Sequence, residues 1–282
     1  MKEWIDAIAQ NTIRNPFKTL MQKKFKQAKE TKDGEEVGDF NKLKQAIELC
    51  DLLQVENQAT FKEQYTNSIA EFSSHKNIHY ALVTYHQHRS QSIVIIGNKW
   101  ESSATTLKED LLKRSQLSDH YGIQQLAKTV FKSIKKSLLK NYSVQIIGHS
   151  LGGSIGLLLY LPLLQKGYSV SNIITFGCPK SLSDKQISVF EQENLAVLNV
   201  ILGNDPVPTL FPNHLRYGVR LILLQGVHYC ICKEIDLEPV ASLHSFVDDV
   251  ILLNSIGSYI RSINEKIELA VKVQYHLRSH YL

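Results

Sequence analysis

The segment Gly148-His149-Ser150-Leu151-Gly152 constrains the possible folds more than any other part of the chain. It follows the short apolar segment SVQII and precedes SIGLLLYL, a segment that is typical of a buried helix. A Gly-x-Ser-x-Gly turn between a strand and a helix holds the serine hydroxyl at a sharp bend, and its glycines let strand and helix approach closely. The pattern therefore predicts Ser150 as a nucleophile. It also predicts the amide of Leu151, at the helix N-terminus, as an oxyanion donor.

Short apolar strands alternate with helices along most of the chain. The pattern predicts strands at 79–86, 92–97, 144–147, 172–176, 195–202 and 219–224, and helices at 107–112, 123–139, 154–166, 183–193 and 243–263. Such alternation predicts an α/β fold with a mostly parallel, doubly wound sheet and helices on both faces. Sheets of this kind place their active sites beyond the carboxyl ends of the strands.

A resemblance to a known family rests on three segments. The first is YSVQIIGHSLGGSIGLLL with the later NIITFGCPK, between Tyr142 and Lys180. The others are His120-Tyr121-Gly122 upstream and NDPVP, residues 204–208, downstream. Together they resemble the class 3 lipases, from about residue 80 to about residue 263. The resemblance implies an α/β-hydrolase fold and ester hydrolysis on lipid-like substrates by a Ser-Asp-His triad, with no metal or cofactor.

Asp205 is the predicted acid of this triad. It comes three residues after the strand-like segment LAVLNVIL, in the turn Gly203-Asn204-Asp205-Pro206, and a carboxylate at the end of a strand can orient an imidazole. A plain turn aspartate is the alternative. The base follows the acid in this fold, and the resemblance favours His244, in ASLHSF, with His228 as the alternative. His244 would take the proton from Ser150 and pass it to the leaving alcohol, and an acyl-enzyme would form in between.

The segment after the second predicted strand departs from the family pattern. The family carries Arg-Gly-Thr or Arg-Gly-Ser there, followed by a tryptophan, whereas this chain reads Ile96-Gly97-Asn98-Lys99-Trp100. Asn98 can still donate from its backbone or side chain, and it is the predicted second oxyanion donor. Losing one such donor lowers kcat by roughly 10²–10³. The sequence therefore leaves open a catalytically silent, lipase-like binding or regulatory protein. A phospholipase or thioesterase on the same scaffold also stays open.

The predicted domains are a helical N-terminal extension over residues 1–74, the α/β-hydrolase domain over 75–265 and a C-terminal tail over 266–282. No apolar run reaches about 20 residues, which predicts that no transmembrane helix is present. Four cysteines without a framework spacing favour a reducing compartment, and hence the cytoplasm. A net charge of +5 is too weak to predict nucleic-acid binding.

Two further features concern partners and metals. The basic N-terminal helix leaves open a peripheral contact with an anionic membrane. His228, Cys230 and Cys232 alternate and would share one side of a strand, but the sequence offers no fourth zinc ligand. The expected partner is a lipid or ester substrate, without a metal or cofactor, and the sequence does not specify the oligomeric state.

Overall fold

The structure, a computed structural model, describes residues 39–55, 68–75, 78–97, 120–209, 211, 213–232 and 254–272. Within these ranges nine strands pair into one sheet, in which the order of the strands follows their order along the chain. The strands are β1 (Ser68–His75), β2 (Ile78–Tyr85), β3 (Ser90–Ile96), β4 (Ser143–His149), β5 (Ser169–Phe176), β6 (Val197–Leu202), β7 (Val219–Leu223), β8 (His228–Cys232) and β9 (Val271–Lys272). The helices are α1 (Phe40–Val55), α2 (His120–Ile134), α3 (Leu151–Gln165), α4 (Asp184–Gln192) and α5 (Ile256–Glu268).

Strands β3 to β7 form the parallel centre of the sheet. Strands β1 and β2 extend it antiparallel on one side, and β8 pairs antiparallel with β7 on the other. Helices α2, α3 and α4 each lie between two successive parallel strands in the chain, as parallel pairing requires. The prediction of an α/β-hydrolase-like fold with a mostly parallel sheet is therefore confirmed.

Buried side chains form one apolar cluster on each face of the sheet. Because side chains alternate along a strand, Tyr80 and Leu82 join one cluster, whereas Ala81 and Val83 join the other. The first cluster contains the buried apolar side chains of α2, α3 and α4, and the second contains those of α1 and α5. Helices thus cover both faces, as predicted. The strand order never reverses, so the right-handed crossovers share one face, and helices from outside the crossovers cover the second.

The structure corrects the predicted boundaries of the sheet domain. The predicted helical extension included residues 68–74, but these residues form most of β1, which pairs with β2 along its whole length. Helix α1 also belongs to this domain, because its buried side chains lie in the second apolar cluster. At the other end, α5 and β9 carry the domain to Lys272, past the predicted boundary at 265.

Helix α5, the last helix in the described residues, does not extend unbroken over the range 243–263 that the amphipathic pattern predicts. The prediction started it at 243, but Ser255 has an extended backbone, with ψ of 147°, and is the N-cap. The side-chain oxygen of Ser255 accepts a hydrogen bond from the amide of Ser258, which satisfies an amide of the first turn. Helix α5 therefore begins at Ile256, and Asn254 lies in the turn before it.

Helix α3 is buried on nearly all sides, which explains its apolar sequence. Every residue from Gly152 to Tyr160 is buried. A Cβ atom on Gly156 would lie 2.9 Å from a methyl group of Ile146 on β4, so this glycine lets the helix pack closely on the strand. This packing fixes the start of α3 directly above the end of β4, where Ser150 lies.

Candidate active site

Ser150 occupies the sharp turn between β4 and α3. Its backbone angles are φ 54° and ψ −129°, a region that residues with a side chain rarely adopt. Its amide donates a 2.8 Å hydrogen bond to the carbonyl of Phe176, at the end of β5, and the residue is only 3% exposed. The surrounding structure thus holds Ser150 in a strained conformation, as such turns do at functional sites.

The glycines of the motif are required by close backbone contacts. A Cβ atom on Gly148 would lie 2.5 Å from the Cα atom of Gly153. A Cβ atom on Gly152 would overlap the carbonyl group of Ile95 in β3. Any side chain at these two positions would force α3 away from the sheet, and with it the turn that presents Ser150.

The amide of Leu151 lies beside the end of β3. As the first residue of α3, Leu151 has no acceptor for its amide within the helix. A Cβ atom on Gly97 would lie 3.2 Å from this amide nitrogen, so the residue that follows β3 is next to the start of the helix. Asn98, the predicted second oxyanion donor, comes directly after Gly97 but lies outside the described residues.

Asp205 follows β6 and is completely buried. Its Oδ1 atom accepts a 2.9 Å hydrogen bond from the amide of Val207. Its Oδ2 atom accepts two hydrogen bonds of 2.6 Å, from the side-chain amide of Asn254 and the hydroxyl of Tyr259. The carboxylate is therefore held in one orientation by three donors, two of which come from the turn before α5 and from α5 itself.

Burial dominates the protonation of Asp205. It raises the pKa of this carboxyl group to about 6, although the donors from Tyr259, Asn254 and Val207 and the charge of Arg216 act to lower it. The guanidinium group of Arg216 donates to the carbonyls of Cys178 and Pro208. Above a pH of about 6 the group is ionised, which is the state that can orient and stabilise an imidazolium ion.

Gly177 connects the surroundings of Ser150 with those of Asp205. It follows Phe176, whose carbonyl binds the amide of Ser150, and it adopts a φ of +57°. A Cβ atom on Gly177 would lie 2.6 Å from Oδ2 of Asp205 and would overlap the side-chain amide of Asn254. Ser150 and Asp205 therefore stand at the same edge of the sheet, on either side of a residue that must be glycine.

His149 ties the serine turn to the segment before α5. Its Nε2 atom lies 2.7 Å from the carbonyl oxygen of Asn254, and the side chain is buried. Burial lowers the pKa of His149 to about 4, so the ring is neutral near pH 7 and its Nε2 carries the proton that this carbonyl accepts. His149 thus positions the backbone of Asn254, and its lowered pKa makes it a weak base.

Two contacts of Asp205 were not predicted from the sequence. Asn254 and Tyr259 fell within the helix predicted over 243–263, with no role of their own. Tyr259 lies on the apolar face of α5 with Ile256 and Ile263, and such spacing indicates only a buried side chain. The one available signal for Asn254 is its place before a serine that caps a helix.

The predicted base, His244, lies outside the described residues. The alternative, His228, begins β8 and is exposed, and its Nδ1 atom lies 3.4 Å from the carbonyl oxygen of Gln225. Asp205, in contrast, is buried and receives its described hydrogen bonds from other residues. The structure therefore brings Ser150, Leu151 and Asp205 to one edge of the sheet and does not bring His228 to the acid.

Two absences in the described residues concern metals and membranes. Within those ranges, no three His, Cys, Asp or Glu side chains are arranged to hold a metal ion. In the same part of the chain, every helix is too short or too polar to cross a bilayer.

Known proteins that are similar to this chain include lipases and a phospholipase. The family model described as Lipase (class 3) matches residues 57–215. The phospholipase A1 PLIP1, chloroplastic, of Arabidopsis thaliana is 28% identical over 132 residues, and the match covers 40% of this chain and 20% of that protein. The chain thus spans about a fifth of the length of this relative.

Solved lipase structures share the fold at low sequence identity. The lipase of Rhizopus microsporus var. chinensis has a TM-score of 0.51 and 16% identity, over 67% of this chain and 75% of that one. The nonglycosylated LIP2 lipase of Yarrowia lipolytica has a TM-score of 0.52 and 14% identity, over 71% and 86%. At such identities the likeness concerns the architecture alone.

Proposed function

The chain belongs to the class 3 lipase family, and on this premise we propose that it hydrolyses carboxylic esters of lipids with Ser150 as the nucleophile. The observation that carries the proposal is the backbone of Ser150, which holds a non-glycine residue at φ 54° between β4 and the first turn of α3. A strained serine at the N-terminus of a buried helix is the arrangement in which α/β-hydrolases present their nucleophile.

The proposed reaction has two steps, acylation of Ser150 and hydrolysis of the acyl-enzyme. The Oγ atom of Ser150 attacks the ester carbonyl carbon while His244 takes its proton, and the developing oxyanion binds the amides of Leu151 and Asn98. The C–O bond to the alcohol then breaks, and the alcohol leaves with the proton from His244. Water, deprotonated by the same imidazole, attacks the acyl-enzyme and releases the carboxylic acid.

The hydrogen bonds of Asp205 determine which of its two oxygen atoms could accept a hydrogen bond from His244. Its Oδ2 atom already accepts from Asn254 and Tyr259, which uses both lone pairs of that oxygen. The Oδ1 atom accepts only one described hydrogen bond, from Val207, and so has a lone pair left. An N–H group of His244 would therefore bind Oδ1 of Asp205.

The test compares wild type with Ser150→Ala on short- and long-chain nitrophenyl esters, with Ser154→Ala as the matched control one helical turn later. We expect Ser150→Ala to lose nearly all turnover and labelling by a fluorophosphonate probe, while Ser154→Ala keeps both. Equal rates for wild type and Ser150→Ala would remove Ser150 from the mechanism.

The head group and acyl chain of the substrate decide between related activities. The plant relative is named a phospholipase A1, and phospholipid, acylglycerol and thioester substrates all fit the same acyl-transfer chemistry. A panel of these three classes, presented as vesicles and as monomers, separates them. A rate that rises on anionic vesicles would support the proposed peripheral contact with a membrane.

A second candidate function is a catalytically silent protein that binds lipid esters. It is favoured by the 2.6 Å hydrogen bond between Asn254 and Asp205, because an amide here occupies an acceptor atom that an imidazole could use. The fluorophosphonate probe distinguishes the two functions, since it labels Ser150 only where a base activates that hydroxyl.

A further inference from the structure

Asn254 has an unusual set of contacts for a buried amide. Its side chain is 3% exposed, and its Nδ2 donates to Oδ2 of Asp205 and, at 3.2 Å, to the carbonyl of Gly177. Its Oδ1 is buried without a hydrogen-bond partner among the described residues. A buried carbonyl oxygen without a partner is costly. The favourable hydrogen bonds of this side chain are therefore those of its Nδ2 atom, and the shorter one is to Asp205.

The donor to the acid of a Ser-His-Asp triad is ordinarily the imidazole of the base. Here an amide N–H makes that kind of bond to Asp205. We infer that position 254 is the place from which an imidazole would bridge Asp205 and Ser150, and that Asn254 is a positioning residue that orients the acid without accepting a proton. The inference rests on the proposed role of Ser150 as the nucleophile.

Position 254 contacts the residues that hold the serine turn. The carbonyl oxygen of Asn254 lies 2.7 Å from Nε2 of His149, which directly precedes Ser150. Its side-chain amide binds the carbonyl of Gly177, the residue after the one that anchors the amide of Ser150. A side chain at 254 therefore lies at the same sheet edge as both the nucleophile and the acid.

The amide and the imidazole differ in the one property that catalysis needs. A histidine at 254 can donate from Nδ1 to Asp205, as the amide does, and its longer ring adds an Nε2 atom that can accept a proton. The native chain must instead bring a base from elsewhere, and His244 has to share Asp205 through Oδ1. Asn254→His should therefore speed the reaction and remove its dependence on His244.

The experiment measures the rate of fluorophosphonate labelling of Ser150 between pH 5 and 9. The variants are Asn254→His, the exposed-turn control Asn141→His, and His244→Ala in the native and the Asn254→His chains. General-base catalysis is worth roughly 10²–10⁴-fold, so we expect Asn254→His to label about 10-fold faster or more. The gain should appear as pH rises through the imidazole pKa, and Asn141→His should label at the native rate.

The double variant separates the inference from the proposed function. If Asn254→His is faster and His244→Ala no longer slows it, the inference is supported. A folded Asn254→His chain that labels at the native rate overturns the inference, and the proposed function stands where His244→Ala slows the native chain. If the Asn254→His chain is labelled and the native chain is not, the inference is supported. The native protein is then the catalytically silent binding protein, and the proposed hydrolysis is wrong.

A smaller variant keeps the inference testable where Asn254→His does not fold. Asn254→Ala removes the amide, and added free imidazole can then reach Asp205. We expect imidazole to raise the labelling rate of Asn254→Ala at least 10-fold more than that of the native protein, in keeping with the value of a general base. An equal response of the two proteins would overturn the inference.

Discussion

The hydroxyl of Tyr259 offers the sharpest test of how the site holds its acid. Tyr259→Phe removes the 2.6 Å hydrogen bond to Oδ2 of Asp205 and leaves the rest of the buried ring in place. It also removes the acceptor, at 3.3 Å, of the amide of Leu202 in β6. A hydrogen bond to a charged group contributes about 1.5–3 kcal/mol, so we expect a loss of about 2 kcal/mol in the free energy of unfolding at pH 8.

This loss should depend on pH in a defined direction. The hydroxyl of Tyr259 favours the ionised form of Asp205, whose pKa is about 6, so its removal raises that pKa further. At pH 8 the variant must keep a carboxylate that has lost a donor, whereas at pH 5 the group is protonated and needs the donor less. We expect the loss to fall to about 1 kcal/mol or less at pH 5, because one pKa unit corresponds to about 1.4 kcal/mol.

Urea unfolding of wild type and Tyr259→Phe at pH 5 and pH 8 measures both quantities. The matched control is Tyr217→Phe, which removes a neutral hydrogen bond of 3.3 Å to the carbonyl of Phe190. We expect the control to lose about 1 kcal/mol or less, equally at both pH values. The reasoning is refuted if Tyr259→Phe loses no more than the control, or loses the same amount at pH 5 as at pH 8.

Three further predictions concern the serine turn and the protonation of the site. Gly152→Ala would drive a methyl group into the carbonyl of Ile95, and we expect thermal unfolding to show a loss of about 3 kcal/mol or more. Ser150→Gly relieves the backbone strain at φ 54°, and urea unfolding should show a gain of about 1 kcal/mol that Ser150→Ala does not give. As pH falls from about 6 to 4, the raised pKa of Asp205 adds stability, while the pKa of His149, lowered to about 4, removes it. Because Asp205→Asn abolishes the first contribution, that variant should lose about 2 kcal/mol more than wild type between pH 7 and pH 4.

Each of these predictions has its own control. Gly257→Ala, where an added Cβ meets nothing within 4 Å, should gain up to about 1 kcal/mol, and a similar gain in Gly152→Ala would contradict the packing at Ile95. The strain at residue 150 is disproved if the glycine and alanine variants are equally stable. If burial does not shift the pKa of Asp205, the stability of Asp205→Asn should change with pH as that of wild type does.

The local pattern of the sequence was sufficient to predict the centre of the fold. Runs such as SVQII before Ser150 are strands because they are apolar, short and bounded by turn residues, and each was found within a few residues of its predicted place. Strand β1 was missed because its sequence, SIAEFSSH, lacks a continuous apolar run. Its extended conformation depends on hydrogen bonding to β2 along its whole length. The start of α5 was not predicted, because a periodic apolar pattern does not mark the residue at which a capped helix begins.

What the sequence determined by itself was the turn at Ser150, because glycine spacing and a strand-to-helix change are properties of neighbouring residues. What only the tertiary structure decided was which side chains hold Asp205. Asn254 and Tyr259 lie 49 and 54 positions away along the chain, and only the packing of α5 on the sheet brings them to the carboxylate. Hydrogen bonds across such separations depend on how helices dock, and no local pattern of residue types encodes that.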